Sequence, residues 1–122
     1  MLAAGLLAAM LIAAFVNIHC ICRLTGEVAD LSALAEEAAV REDWESAARY
    51  AKRAIDRWNE ADSYTHIVLR HGEIDAVSDA LYDLLAETYA ESSGSAEAAA
   101  QRAAYHLNSI AGMERIRFGS LF

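Results

Sequence analysis

The stretch LAAGLLAAMLIAAFVNIHCIC, residues 2–22, decides the architecture of this chain, because it is apolar on every side of a helix. Its first polar side chain is that of Asn17, and no charged side chain occurs before Arg23. A helix of residues 1–22 would be about 33 Å long, enough to cross the hydrocarbon core of a bilayer. A core helix of a soluble protein would show a polar stripe. The sequence therefore predicts a transmembrane anchor at residues 1–22 and a soluble helical domain at residues 23–122.

Two other kinds of N-terminal segment would be similarly apolar. A cleaved signal peptide usually begins with basic residues and ends at a small-x-small site, and neither feature is evident here. A lipoprotein signal is also disfavoured, because Ile18 and His19 precede Cys20 where lipidation needs small residues. Cys20 and Cys22 would point about 200° apart on a helix, so they cannot easily bridge each other. They could bridge a second copy of the chain, or serve as small apolar residues at the membrane boundary.

Composition and charge favour long helices and narrow the range of partners. The 122 residues include 27 alanines and six glycines but no proline, a composition typical of uninterrupted helices. The net charge of −8 argues against a nucleic-acid partner, because phosphate binding requires a basic patch. The predicted partners are the membrane, through residues 1–22, and another membrane protein or a second copy of the chain. Six small residues of the anchor would allow a partner helix to approach closely: Ala4, Gly5, Ala8, Ala9, Ala13 and Ala14.

Beyond the anchor, apolar residues recur at three- and four-residue steps, which is the pattern of amphipathic helices. The anchor helix is expected to continue to about Val40. Asp43 is expected to cap a second helix. That helix would present a narrow apolar face with a large ring at each end and smaller residues between them: Trp44, Ala48, Ala51, Ile55 and Trp58.

Glycine and serine mark the later boundaries. Gly72 predicts a turn before a third helix, and residues 92–95 predict a loop in which Ser95 caps a fourth helix. Residues 113–122 are expected to form a short tail that folds back onto the bundle. The predicted fold is all-α: the transmembrane helix runs into a small antiparallel bundle of three to four helices, comparable by analogy with tetratricopeptide hairpins. Eight side chains are expected to form the core: Trp44, Ile55, Trp58, Ile74, Leu81, Leu84, Leu107 and Ile110.

One polar cluster could carry chemistry, and it contains Asp62, His66, His71, Glu73 and Asp75. An aspartate and a histidine four residues apart on a helix can pair or share a metal ion, so His66, His71 and Glu73 are candidate metal ligands. The other interpretation is a hydrogen-bonded polar contact between two helices, with Glu73 capping the third helix. The sequence contains no HExxH or CxxC motif, no nucleophile elbow and no phosphate-binding glycine loop. The structural interpretation is favoured, and neither a catalytic residue nor a cofactor is predicted.

Three motifs in a fixed order carry a family resemblance: DWESA at residues 43–47, HGEID at 71–75 and FGSLF at 118–122, with Trp58 between the first two. Together they resemble the bacterial family described as domain of unknown function 4363. The resemblance implies a single-pass membrane protein with its helical domain outside the cytoplasm. Arg23 alone would place that domain inside, under the positive-inside rule. The expected function is a non-enzymatic, membrane-tethered interaction module or accessory subunit, and the alternative is a metal-binding enzyme or sensor.

Overall fold

The computed structural model describes residues 1–120, which form five helices and no strand. The helices are α1 (Leu2–Val40), α2 (Trp44–Glu60), α3 (Asp62–Val68), α4 (His71–Tyr89) and α5 (Ser93–Ser120). The all-α prediction is confirmed, and so is the continuation of the first helix to Val40. The short α3 is an additional element, because the second helix breaks at Ala61.

Four helices form the bundle: the C-terminal half of α1 together with α2, α4 and α5. The main contacts of α1 are with α2 and α5, and those of α4 are also with α2 and α5, so the four helices close into a ring. Only three residues connect α1 to α2 and α4 to α5, which makes each of these pairs an antiparallel hairpin. The short α3 lies at the end of the bundle nearest the N-terminal half of α1, because its Tyr64 contacts Asn17.

The core consists of two clusters with different side-chain sizes. The cluster nearest the N-terminal half of α1 contains large side chains, among them Leu24, Trp58 and Leu107. The buried cluster at the far end consists of alanines from α1, α2 and α5, with Leu84 of α4 as its one large member. The distance between two packed helices depends on the size of the side chains between them. Because alanine is small, the helix backbones can approach closely at the far end of the bundle, and this close packing holds that end together.

Both hairpin turns have the same local structure. Glu42 and Glu91 adopt left-handed backbone conformations, with φ of 61° and 54°. The backbone N–H of Asp43 donates to the carbonyl of Ala38 at 2.8 Å, and that of Ser92 donates to Glu87 at 3.1 Å. These bonds satisfy carbonyl groups that the helix end would otherwise leave unpaired.

The predicted cap on α2 is confirmed. The backbone N–H of Ser46 donates to Oδ1 of Asp43 at 3.3 Å. Hydrogen bonds from the side chain and the backbone of Ser46 hold the pKa of Asp43 below its usual value. The capping carboxylate is therefore favoured in its charged form, as expected beside the positive end of a helix.

Three predicted boundaries are wrong. Gly72 lies inside the first turn of α4, and the break comes earlier, where Leu69 and Arg70 are extended. Helix α5 begins at Ser93, so Ser95 does not cap it. The first turn of a helix tolerates glycine and serine because its N–H groups have no partner within the helix. Residues 113–120 continue α5 instead of forming a separate tail, and the end of that predicted tail, residues 121–122, lies outside the described residues.

Seven of the eight predicted core residues are buried: Ile55, Trp58, Ile74, Leu81, Leu84, Leu107 and Ile110. Trp44 is instead half-buried at the edge of the alanine cluster. The buried face of α2 includes Ala47 and Ala54, whereas the predicted face contained Ala48, which is half-buried. The buried face of α2 is therefore rotated away from Trp44. Trp44 lies in the first turn of the helix and packs only partly against the alanine cluster.

Candidate functional site: the apolar half of α1 and its junction with the bundle

The N-terminal half of α1 is apolar and lies outside the bundle. Most of its large side chains are exposed, as shown by Leu6 at 65% and Phe15 at 61%, and the first buried residue of the helix is Ile21. The most apolar 18-residue window of α1 has a mean hydropathy of 2.2 and is only 6% buried. Within residues 1–120, α1 is the one helix long and apolar enough to cross a membrane, judged by its length and composition.

The exposed half of α1 enters the bundle without a break in the helix. Ile21, Leu24 and Val28 belong to the same core cluster as Trp58. The hydroxyl of Thr25 donates to the carbonyl of Ile21 at 2.9 Å, so this polar side chain is satisfied within its own helix. A rigid helix, with no linker, therefore connects the apolar half to the bundle.

Four polar side chains meet where α1 leaves the bundle, and we call them the junction cluster: Asn17, Tyr64, Glu114 and Arg117. The hydroxyl of Tyr64 donates to the side-chain oxygen of Asn17, and the amide of Asn17 donates to Oε2 of Glu114 at 3.5 Å. Glu114 is only 4% exposed, and its Oε1 forms an ion pair with Nη1 of Arg117 at 3.1 Å. Burial raises the pKa of Tyr64, with smaller contributions from Cys20 and Glu114. The junction cluster thus ties α1, α3 and α5 together.

The junction cluster is not predicted by any pattern in the sequence. Its members come from three helices that are far apart in the chain, and Asn17 is separated from Glu114 by 97 positions. The one signal in the sequence was the polar Asn17 in an otherwise apolar segment. A polar residue at such a position requires a partner, but no rule of local spacing identifies that partner.

Beyond the junction cluster, α5 continues beside the apolar half of α1. The ring of Phe118 meets the ring of Phe15 edge-to-face, with centroids 6.3 Å apart and an interplanar angle of 61°. Leu11 and Ile12 complete an open apolar groove of about 500 Å³ with these two rings. Phe15 precedes Ile21 by six residues, so α5 follows α1 for about 9 Å beyond the point where burial begins.

The predicted polar cluster is only partly assembled. Nδ1 of His66 lies 3.1 Å from Oδ1 of Asp62, and the rings of His66 and His71 are 5.5 Å apart. Glu73 lies in the first turn of α4, near the positive end of that helix as the structural interpretation expects, although α4 has no side-chain cap hydrogen bond. Glu73 also borders a small cavity beside α5 with His106. Asp75 is exposed. Within residues 1–120, no group of three or more His, Cys, Asp or Glu side chains is arranged to hold a metal ion.

The bundle has two further open grooves, each of about 500 Å³. One lies between α2 and α4, where the Nζ of Lys52 is 5.6 Å from the centre of the Tyr89 ring. A hydrogen bond with Tyr89 raises the pKa of Lys52. The other lies between α1 and α2, where hydrogen-bonded ion pairs with Arg57 and, to a smaller degree, with Arg23 lower the pKa of Glu27.

In the described part of the chain, every buried side-chain nitrogen and oxygen has a hydrogen-bond partner. The polar groups of the interior are thus occupied by contacts within the protein.

Comparison with known proteins gives one family. No curated protein and no solved structure matches the chain. The protein-family model described as "Domain of unknown function (DUF4363)" matches residues 15–120. The match includes the whole bundle, the junction cluster and the last turns of the apolar half of α1. The resemblance noted in the sequence is therefore confirmed, and the chain belongs to the DUF4363 family.

Proposed function

We propose that this protein is a membrane-tethered helical interaction module, an accessory subunit of a membrane assembly without catalytic activity of its own. The observation that carries the proposal is the exposed apolar half of α1, which is continuous with a helix of the bundle core. Apolar surface on this scale is stabilised when lipid replaces water around it. Because the helix has no break, a force or rotation applied to the anchor would be transmitted to the bundle.

The proposed location is the bacterial cell membrane, with a single crossing and the bundle outside the cytoplasm. The orientation rests on the resemblance to the DUF4363 family. A Tyr105→Cys variant lacking Cys20 and Cys22 tests it, because Tyr105 is 70% exposed on the bundle. A membrane-impermeant maleimide added to intact cells should label this variant. Labelling only after the cells are opened would place the bundle inside.

The anchor offers one face to a partner helix. Gly5, Ala9 and Ala13 are spaced four residues apart, which places three small residues on one side of α1. At about 100° per residue, the centre of this side lies about 120° around the helix from Phe15, which contacts Phe118. A Cβ atom added at Gly5 would meet no atom within 4 Å, so packing within the chain does not require glycine there. We propose that this face binds another membrane protein or a second copy of the chain.

Cross-linking in intact membranes, followed by mass spectrometry, tests the proposed interaction. The informative pair of variants is Ala9→Leu, on the small-residue face, and Ala8→Leu, about 100° around the helix at the same depth. Both alanines are exposed in the structure, so neither change disturbs packing inside the protein. Wild type and Ala8→Leu should give the same cross-linked product, and Ala9→Leu should give less. Equal yields from the two variants, or no product from wild type, would refute the interaction through this face.

A metal-binding enzyme or sensor built on His66, His71 and Glu73 is the competing proposal. The observation in its favour is the pairing of the two histidine rings, 5.5 Å apart, beside Asp62. Metal analysis of the purified protein distinguishes the two proposals. Bound metal that is lost in both His66→Ala and His71→Ala would support the metal site. Metal-free protein whose histidine variants change only in melting temperature would support the interaction module.

A further inference from the structure

The last turns of α5 lie beside a part of α1 that the proposed anchor places inside the bilayer. A hydrocarbon core of about 30 Å requires about 20 helical residues, which corresponds to residues 2–21. Phe118 packs against Phe15, and it shares a small cavity with Ala14 and Ile18. All three partners on α1 precede Ile21. The anchor cannot span the bilayer at this depth unless the end of α5 enters it as well.

We propose that residues 113–120, which we call the α5 terminal segment, form a second membrane contact that penetrates the lipid on the bundle side beside the anchor. This inference rests on the membrane attachment proposed above. It concerns a different part of the chain, and it commits to lipid as the occupant of the surface. A soluble partner could not reach this segment, because the segment lies at the depth of the apolar half of α1.

The exposed side chains at this end of the bundle suit a lipid environment. Outside the apolar half of α1, the two most exposed large apolar side chains of the described residues are Ile67 at 82% and Ile116 at 73%. Ile116 belongs to the α5 terminal segment. Ile67 lies three residues after Tyr64 in α3, and Tyr64 contacts Asn17 of α1. Isolated exposed apolar residues are common in soluble proteins. Here, however, both residues lie at the end of the bundle from which the apolar helix emerges.

The charged residues of the segment also fit the boundary between lipid and water. Arg115 is exposed, and the side chain of Arg117 is 51% exposed while it forms an ion pair with Glu114. Long arginine side chains can bury their methylene groups while the guanidinium reaches the phosphate level. Asn17 precedes Ile21 by four residues, so Tyr64, which contacts Asn17, would lie about 6 Å inside the lipid boundary, in the outermost part of the hydrocarbon next to the interface where tyrosine is enriched.

Fluorescence quenching in phosphatidylcholine vesicles tests the proposal on the full chain. Starting from a Cys20→Ser, Cys22→Ser chain, an environment-sensitive probe is attached to a single cysteine at position 116, 105 or 12. All three native side chains are exposed, so labelling leaves the core intact. Position 105 is the matched control on the same helix, about 16 Å farther from the anchor. The quenchers are spin-labelled acyl chains and aqueous iodide.

The proposal predicts that lipid quenches the probe at position 116 at least about threefold more strongly than the probe at position 105, with iodide showing the reverse order. Iodide quenching at 116 equal to that at 105, with position 12 still quenched by lipid, would overturn the proposal and leave the anchor intact. Iodide quenching at position 12 would overturn the membrane attachment itself. Shielding of position 116 from both quenchers would show that protein covers the segment, which also overturns the proposal.

Discussion

Leu24→Ala tests whether the C-terminal half of α1 is part of the bundle or only its tether. Leu24 is 2% exposed and packs in the large-residue cluster with Trp58. Replacing leucine by alanine removes apolar carbons worth about 2.4 kcal/mol in transfer free energy, at about 0.8 kcal/mol per methylene. The cavity adds to this, so we expect a loss of about 2.7–5 kcal/mol in the free energy of unfolding. For a domain of this size, a loss of about 3 kcal/mol corresponds to a fall of about 12–24 °C in Tm.

The matched control is Leu34→Ala, because Leu34 lies on the same helix but is 40% exposed. Thermal unfolding of the full chain in detergent micelles, followed by circular dichroism and tryptophan fluorescence, measures both variants. Trp58 is 3% exposed in the same cluster as Leu24, so in a Trp44→Phe background the tryptophan emission reports on this part of the core. We expect Leu34→Ala to cost less than half as much as Leu24→Ala. If Leu24→Ala cost no more than Leu34→Ala, α1 would not be a core helix of the bundle and the reasoning would be refuted.

Three further changes test other parts of the structure through the free energy of unfolding. Arg117→Ala should cost about 1–2 kcal/mol, because it leaves the buried carboxylate of Glu114 without its cation, and adding Glu114→Gln should recover part of that loss. Burial, and to a smaller degree the carboxylate of Glu97, raises the pKa of Glu36, so Glu36→Gln should stabilise the protein at neutral pH. This advantage should shrink as the pH falls through the raised pKa towards 4.5, because protonation then relieves the same penalty in wild type. Glu91→Gly should stabilise by about 0.5–1 kcal/mol, because glycine adopts the left-handed conformation without strain.

Each of these changes has a control on the same element. Arg115→Ala removes a neighbouring arginine that makes no ion pair among the described residues, and it should have little effect. Glu37→Gln changes an exposed carboxylate next to Glu36. Ala90→Gly, at a right-handed position with φ of −77°, should destabilise the turn that Glu91→Gly stabilises. Equal effects of a variant and its control would show that the proposed cause is wrong.

The sequence predicted the elements whose signal is local and periodic. Asp43 was identified as a cap because a short acceptor side chain directly precedes an apolar repeat. The core prediction for α5 is also correct, since Leu107 and Ile110 lie three residues apart on one side of the helix and both are buried. The prediction is wrong for Trp44, because the buried side of α2 is centred on Ala51 and Ala54 and not on the large ring at the start of the helix.

The rest could not be predicted because it depends on contacts between distant parts of the chain. The sequence predicts that residues 113–122 form a short tail that folds back onto the bundle. The structure supplies a partner in Phe15, because α1 extends beyond the bundle and α5 follows it. The burial of Glu114 has the same origin, since Asn17 and Arg117 together surround its carboxylate.

The central claim is that residues 1–22 remain part of the protein and hold it in the membrane. The most direct measurement is extraction of membranes with alkaline carbonate, followed by intact-mass analysis of the chain in the pellet and in the supernatant. A control chain with Leu7→Asp and Met10→Asp places two charges on exposed positions of the apolar half. We predict that the wild-type chain stays in the pellet with residues 1–22 intact and that the control chain is released. Wild-type protein in the supernatant, or protein lacking residues 1–22, would contradict the account.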